Sequence, residues 1–124
     1  MATAAADALG RHGEELAAQF VAAKGYRIVA RNWRSPDRRV RGELDLVLRD
    51  GPTLVFCEVK TRTSGAYGLP AEAVSEAKRR KLRRLAALWL TLYRGPWTEV
   101  RFDVIAVLQP RHGVASLEHL KGVL

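Results

Sequence analysis

The stretch Glu43-Leu44-Asp45-Leu46-Val47-Leu48-Arg49-Asp50-Gly51-Pro52-Thr53-Leu54-Val55-Phe56-Cys57-Glu58-Val59-Lys60-Thr61 decides the fold. Two apolar runs flank Asp50-Gly51-Pro52, which is turn chemistry, so the pattern predicts a β-hairpin of residues 43–49 and 54–61. Side chains alternate across a strand, which puts Glu43, Asp45 and Val47 on one face and Leu44, Leu46 and Leu48 on the other. On the second strand Leu54, Phe56, Glu58 and Lys60 fall together, opposite Val55, Cys57 and Val59. Two registers are open: a turn centred on Asp50-Gly51 sets Glu43 opposite Glu58, and a shift by two sets Asp45 opposite Glu58. Either register gathers the acids on one face, with direct Cβ neighbours ~5 Å apart and diagonal ones ~7–8 Å.

Carboxylates that close repel, and among Leu, Val and Phe they are costly unless protonated, paired or holding a cation. A hard cation resolves the conflict. Mg²⁺ is commonly held by one or two carboxylates, keeps several waters and takes further ligands from substrate phosphate. Such an ion activates water and polarises a phosphoryl oxygen, while Lys60 orients that water or stabilises developing charge. Cross-strand ion pairing on a solvated strand face accounts for the same spacing equally well.

Outward from the hairpin, residues 14–24 carry apolar positions at helical spacing after Gly10 and Gly13, with Gly25 as a stop. Residues 26–33 read as a strand, followed by a polar, basic loop over 34–42. A connector ending at Pro70 leads to a second helix over 71–93, whose apolar stripe is Val74, Leu82, Leu85, Leu88, Trp89 and Leu92. Gly95-Pro96 stops it. Residues 100–108 form a further strand, and 116–124 a weak strand or short helix. The order αβββαβ predicts one α/β domain over 1–124, a mixed central sheet flanked by helices.

Twenty-one Lys and Arg against thirteen Asp and Glu give a net charge of +8, a field that attracts polyanions, nucleic acid above all. Arg34, Arg38, Arg39 and Arg41 just before the acidic strand, and Lys78, Arg79 and Lys81 on the second helix, are candidate phosphate contacts. A solvated helix face explains the second group as well. Trp33 is read as a core lid with base stacking as the alternative, and Trp89 and Trp97 as packing. The histidines have no shared metal-ligand spacing and are assigned surface or capping roles; Asp103 is read as a structural acid. The single cysteine, Cys57, is expected to be a buried, inert thiol, which suits a reducing cytoplasm. Residues 1–9 lack a signal-peptide pattern and no run approaches the ~20 apolar residues of a membrane span, so a cytoplasmic protein with no membrane association is expected.

The segments Gly13-Glu14, Arg31-Asn32-Trp33-Arg34, Gly42-Glu43-Leu44-Asp45-Leu46, Phe56-Cys57-Glu58-Val59-Lys60-Thr61-Arg62, Ala73-Val74 with Lys78, and Arg101-Phe102-Asp103-Val104 closely resemble the YraN-like family of small bacterial proteins, nearly end to end. That family looks like a branch of the PD-(D/E)-x-K nuclease superfamily, related in fold to Holliday-junction resolvases and restriction endonucleases. The resemblance implies a restriction-endonuclease-like fold. It also implies a metal-binding aspartate at Asp45, the E-x-K pair at Glu58 and Lys60, and a helix-one glutamate, Glu14, that reaches the metal site. Glu43 belongs to the family's own motif, as a group that supports the metal ligands or joins them.

The leading expectation is therefore a Mg²⁺-dependent endonuclease, with Mn²⁺ as the alternative ion, acting on DNA and in particular on branched or irregular structures. The alternative from another class is a non-catalytic nucleic-acid-binding module that keeps the nuclease fold; it binds without metal and does not cut. A homodimer is one assembly open to it, because symmetric cutting of two strands takes two sites, although the sequence shows no dimer seam.

Overall fold

The computed structural model describes residues 4–64 and 74–124. Its elements are α1 (Ala4–Ala23), β1 (Arg27–Arg34), β2 (Glu43–Asp50), β3 (Thr53–Arg62), α2 (Glu76–Leu92), β4 (Glu99–Leu108) and β5 (Ser116–Leu120). The strands form one mixed sheet in the order β1-β2-β3-β4-β5. Only β3 and β4 run parallel, joined by the α2 crossover, and the other neighbours are antiparallel. This is the expected α/β domain with a mixed sheet and two helices, as in a restriction-endonuclease-like core. The open question over residues 116–124 closes as a strand, β5.

Each helix covers one sheet face. Ala17, Ala18 and Val21 of α1 pack on Leu46, Leu48, Val55, Cys57, Ile105 and Val107. Leu82, Leu85, Ala86 and Trp89 of α2 pack on Leu44, Val47, Leu54 and Phe56. Fully burying one such aliphatic or aromatic side chain is worth about 1.5–3 kcal/mol, so the two clusters fix the sheet between the helices. Two expected members of the core lie outside it: Leu92 is 54% and Trp97 41% exposed, because both lie at or beyond the end of α2, where the chain leaves the sheet.

Helix α1 starts ten residues earlier than its apolar spacing suggests and runs through Gly10 and Gly13. Gly13 is buried, and a Cβ there would collide with the Thr61 side chain. The glycine is therefore a close-approach residue that seats α1 on the end of β3, and not a helix boundary. Helix α2 begins at Glu76, where Ser75 caps it by accepting the Lys78 N–H at 3.1 Å, a recognised N-cap arrangement. The expected start at residue 71 lies outside the described residues.

The hairpin adopts the second of the two registers: Leu46 pairs with Cys57, and Asp50 with Thr53. Gly51-Pro52 is the turn, with Gly51 at φ 59. The other register would put Pro52 in a ladder position opposite Arg49, where it has no N–H to donate. Instead the Pro52 carbonyl accepts the Thr98 N–H at 2.9 Å, tying the turn to the start of β4.

Candidate active site

The β2–β3 ladder ends at Leu46↔Cys57, although both strands continue past it. Beyond that point Asp45 Oδ2 accepts the Val59 N–H at 2.9 Å, so a side-chain carboxylate stands in for the missing ladder carbonyl. The strict alternation expected of β2 also fails here. Leu44 joins the α2 cluster and not the α1 cluster that holds Leu46 and Leu48. The cause lies across the β1–β2 ladder. Arg31 pairs with Leu46 and Trp33 with Leu44, which brings Asn32 level with Asp45. Asn32 has φ 48, a left-handed conformation that Asn tolerates better than most residues. That kink lets Arg31 bond Glu15 of α1 at 2.6 Å while Trp33 packs into the α2 cluster. Where the ladder ends, the Asp45 carboxylate reaches across from β2 to the Val59 N–H of β3.

Glu58 follows from the opposite strand. Its side chain is 7% exposed, and Oε1 lies 3.7 Å from both Lys60 Nζ and Lys78 Nζ. Lys60 sits two residues along on the same face, and Lys78 is in the first turn of α2, placed there by the Ser75 cap. Glu43 pairs with the exposed Arg34 at 3.6 Å. Both line a cavity of about 320 Å³ with Ser35, Arg41 and Gly42. A Cβ on Gly42 would meet the Lys81 side chain and Leu85, so Lys81 closes on the same loop.

The electrostatics tie the acids into one group. Burial raises the Asp45 carboxyl to about 7; the charges of Glu58 and Glu14 add to this, and the Val59 hydrogen bond and Lys78 work against it. Burial also raises Glu14, reinforced by Glu43 and Glu58 and opposed by Arg31 and Arg11. Thus Glu14 of α1 repels Glu43 and Asp45 of β2 and Glu58 of β3, and Asp45 repels Glu58. No three of them bring donor atoms within 4.8 Å of one another; among the described residues that spacing occurs at Cys57, Asp103 and His119. Acids spaced this widely suit a hydrated hard cation with oxygen ligands better than a fully dehydrated one.

Not every predicted contact joins this face. Arg39 is held by Asp37, which accepts its N–H and its guanidinium at 2.9–3.3 Å. Arg79 Nε turns back to the Val74 carbonyl at 3.5 Å. Arg38 is exposed in the same loop. Of the predicted phosphate contacts, Lys78 reaches Glu58, Arg34 and Arg41 line the Glu43 cavity, and Lys81 lies against Gly42 beside it.

Asp103 is the structural acid it was expected to be. It is fully buried and accepts two bonds from Arg101 at 2.9 and 3.0 Å, one from the Gly122 N–H at 2.8 Å and one from His119 Nε2 at 2.6 Å. Burial alone would raise it, but those bonds outweigh burial and hold it below the usual aspartate value. His119 is thus an internal partner of β4, with a side chain 6% exposed, and not the surface or capping residue expected. The alternation of Leu117 with Ser116 and Glu118, which puts His119 on the Leu117 face, was the signal available for it. Cys57 is buried, and desolvation raises its thiol well above the ordinary range, so it is inert as expected.

No helix among the described residues is long and apolar enough to cross a membrane. The family described as "Uncharacterised protein family UPF0102" matches residues 13–107. A UPF0102 protein of Beutenbergia cavernae is 56% identical over 119 residues, covering 96% of this chain and 98% of that protein. One from Nocardia farcinica is 53% identical over 116 residues, covering 94% and 88%. A third, from Frankia alni, is 52% identical over 122 residues, covering 98% of each chain.

Proposed function

The chain belongs to the UPF0102 family, and from its acid-lined gap we propose a metal-dependent endonuclease that hydrolyses phosphodiester bonds in DNA. The observation that carries this reading is the Asp45 carboxyl, raised to about 7 by burial and by Glu58 and Glu14. At Asp45 burial and the like charges outweigh the opposing Lys78, and a divalent ion is the chemistry that relieves it. Asp45 and Glu58 would hold the ion, with Glu14 and Glu43 joining directly or through its waters; Mg²⁺ fits the all-oxygen donor set, and Mn²⁺ fits it as well. When bound, the ion supplies Lewis-acid polarisation of a phosphoryl oxygen and an acidified water.

The chain's own groups do the rest. Lys60, 3.7 Å from Glu58, is placed to orient an attacking water or to neutralise charge developing on the phosphorane oxygens. Lys78 lies 3.7 Å from the same Glu58 oxygen as Lys60 and balances its charge. Arg34, Arg41 and Lys81 border the neighbouring cavity and would receive the flanking phosphates of the strand. The presence of basic groups on both sides of the acids favours a strand that runs across the gap.

The test is cleavage of linear, single-stranded, flapped and four-way-junction DNA with Mg²⁺, Mn²⁺ or EDTA, beside Asp45→Ala and Lys60→Ala. Cutting that disappears with EDTA and in both variants is the expected result. Metal-independent binding with no cutting on any substrate would instead make the chain a binding module.

A further inference from the structure

A second cavity, of about 390 Å³, opens on the α2 side of β1. Val29, Ala30 and Trp33 of β1 line it, facing Trp89, Leu92 and Tyr93 at the end of α2, with the exposed Arg94 beside them. Its size falls within the ~300–1,000 Å³ of pockets that take small organic groups. Trp89 and Tyr93 are stacked, with centroids 4.7 Å apart and planes 20° from parallel. The Tyr93 hydroxyl accepts from Arg49 at 3.0 Å, which fixes its ring. Leu92, 54% exposed, stands in water at this pocket. A preformed aromatic slot next to an arginine is suited to a flat heterocycle that carries negative charge nearby.

The slot also neighbours the acid site along β1. Trp33 and Arg34 are successive residues, one lining this slot and the other the cavity of Glu43 and Arg41. Ala30 pairs with Val47, two residues from Asp45, or roughly 7 Å along the strand at ~3.3 Å per residue. A nucleotide next to one held at the acids falls within that reach.

We propose that the cavity between β1 and the end of α2 receives an unpaired nucleobase of the same DNA strand whose phosphates lie along Arg34 and Arg41. This deepens the nuclease reading and rests on it: the substrate is DNA with at least one base outside the duplex stack. A fully paired duplex keeps its bases stacked inside and gives the slot nothing to bind. Charge selects the occupant, because Arg94, Arg34 and the net +8 of the chain favour a polyanion over an apolar peptide.

The test is binding in EDTA, where nothing is cut, of two labelled DNAs: a paired 20-mer duplex and the same duplex with a short single-stranded flap carrying 2-aminopurine. The flapped DNA should bind about tenfold more tightly, the scale of one base–aromatic stack, with the 2-aminopurine fluorescence quenched. Trp33→Leu and Leu92→Glu should each remove that advantage and the quenching while leaving duplex affinity within about twofold of the parent protein. Leu92 is largely solvent-exposed, so its variant tests the slot without disturbing the core. Equal affinity for both DNAs, or equal loss on both in the variants, would overturn the slot and leave the nuclease reading intact. No binding of either DNA would overturn both. A dimer that Leu92→Glu converts to monomer would make the cavity a contact between copies and also overturn the proposal.

Discussion

Replacing Asp45 by Asn should stabilise the metal-free protein, although it removes the residue proposed to be most important for activity. A carboxyl moved from 3.8 to about 7 costs its ionised form about 4 kcal/mol, at roughly 1.36 kcal/mol per pH unit. The sign follows from proton linkage. Between pH 4 and 7 the folded state retains a proton that the unfolded state has released, so wild-type stability falls as pH rises through that window and stays low above it. Asn has nearly the same shape, carries no charge, and its side-chain oxygen can still accept the Val59 N–H. In EDTA, urea denaturation should therefore find Asp45→Asn more stable than wild type at pH 8, by about 2–4 kcal/mol. The gain should be smaller by about 2 kcal/mol at pH 5, where wild-type Asp45 is largely protonated. Millimolar Mg²⁺ should narrow the difference by stabilising only the wild type, since a ligand of the folded state stabilises by mass action. A variant no more stable than wild type at pH 8, or a gain independent of pH, would refute the reasoning that these acids are short of cations.

Other outcomes follow from the same geometry. Asp103→Asn removes the buried carboxylate that Arg101 and His119 share, leaving Arg101 the exposed Asp50 carboxylate at 3.6 Å, and should cost about 3–5 kcal/mol in urea denaturation, as expected when one partner of a buried pair is removed. Because the Asp103 carboxyl is held below its ordinary value, its contribution should be complete above about pH 4, the ordinary aspartate value, and fade as pH falls further, which an acid titration of stability would record. Gly13→Ala places a methyl against Thr61 and should cost about 1–3 kcal/mol as an overpacking change, seen as a lower urea midpoint. Lys81→Ala should weaken DNA binding uniformly across sequences and reduce the slope of log affinity against log salt by about one, measured by fluorescence anisotropy.

Much of this was legible in the sequence because the hairpin writes its own faces: acids and leucines alternate, and the turn residues bracket them. The register could not be read from alternation, which both pairings satisfy. Pro52 carried the answer, since a residue without an N–H belongs in the turn. The break at Leu44 was not legible, because it arises from a left-handed Asn32 on a different strand, and a single residue's φ leaves little trace in composition. Gly13 misled in the opposite direction. A glycine inside a helix reads as a boundary until the Thr61 side chain that needs the space is known. Arg39 and Arg79 were indistinguishable from the other basic residues in sequence, and their local acceptors, Asp37 and the Val74 carbonyl, take them out of the cleft.

Asp45 and Asp103 sit on one sheet with opposite fates. At Asp103 a guanidinium, an imidazole and an amide meet the carboxylate, so it is complete without help from outside the chain. At Asp45 the same residue type has one amide, and its like-charged neighbours and burial outweigh Lys78. Moving a single arginine from the surface to face Asp45 would cancel the repulsion, make the fold more stable, and leave nothing there for an ion to do. Selection for stability alone would therefore tend to erase so unbalanced a carboxylate.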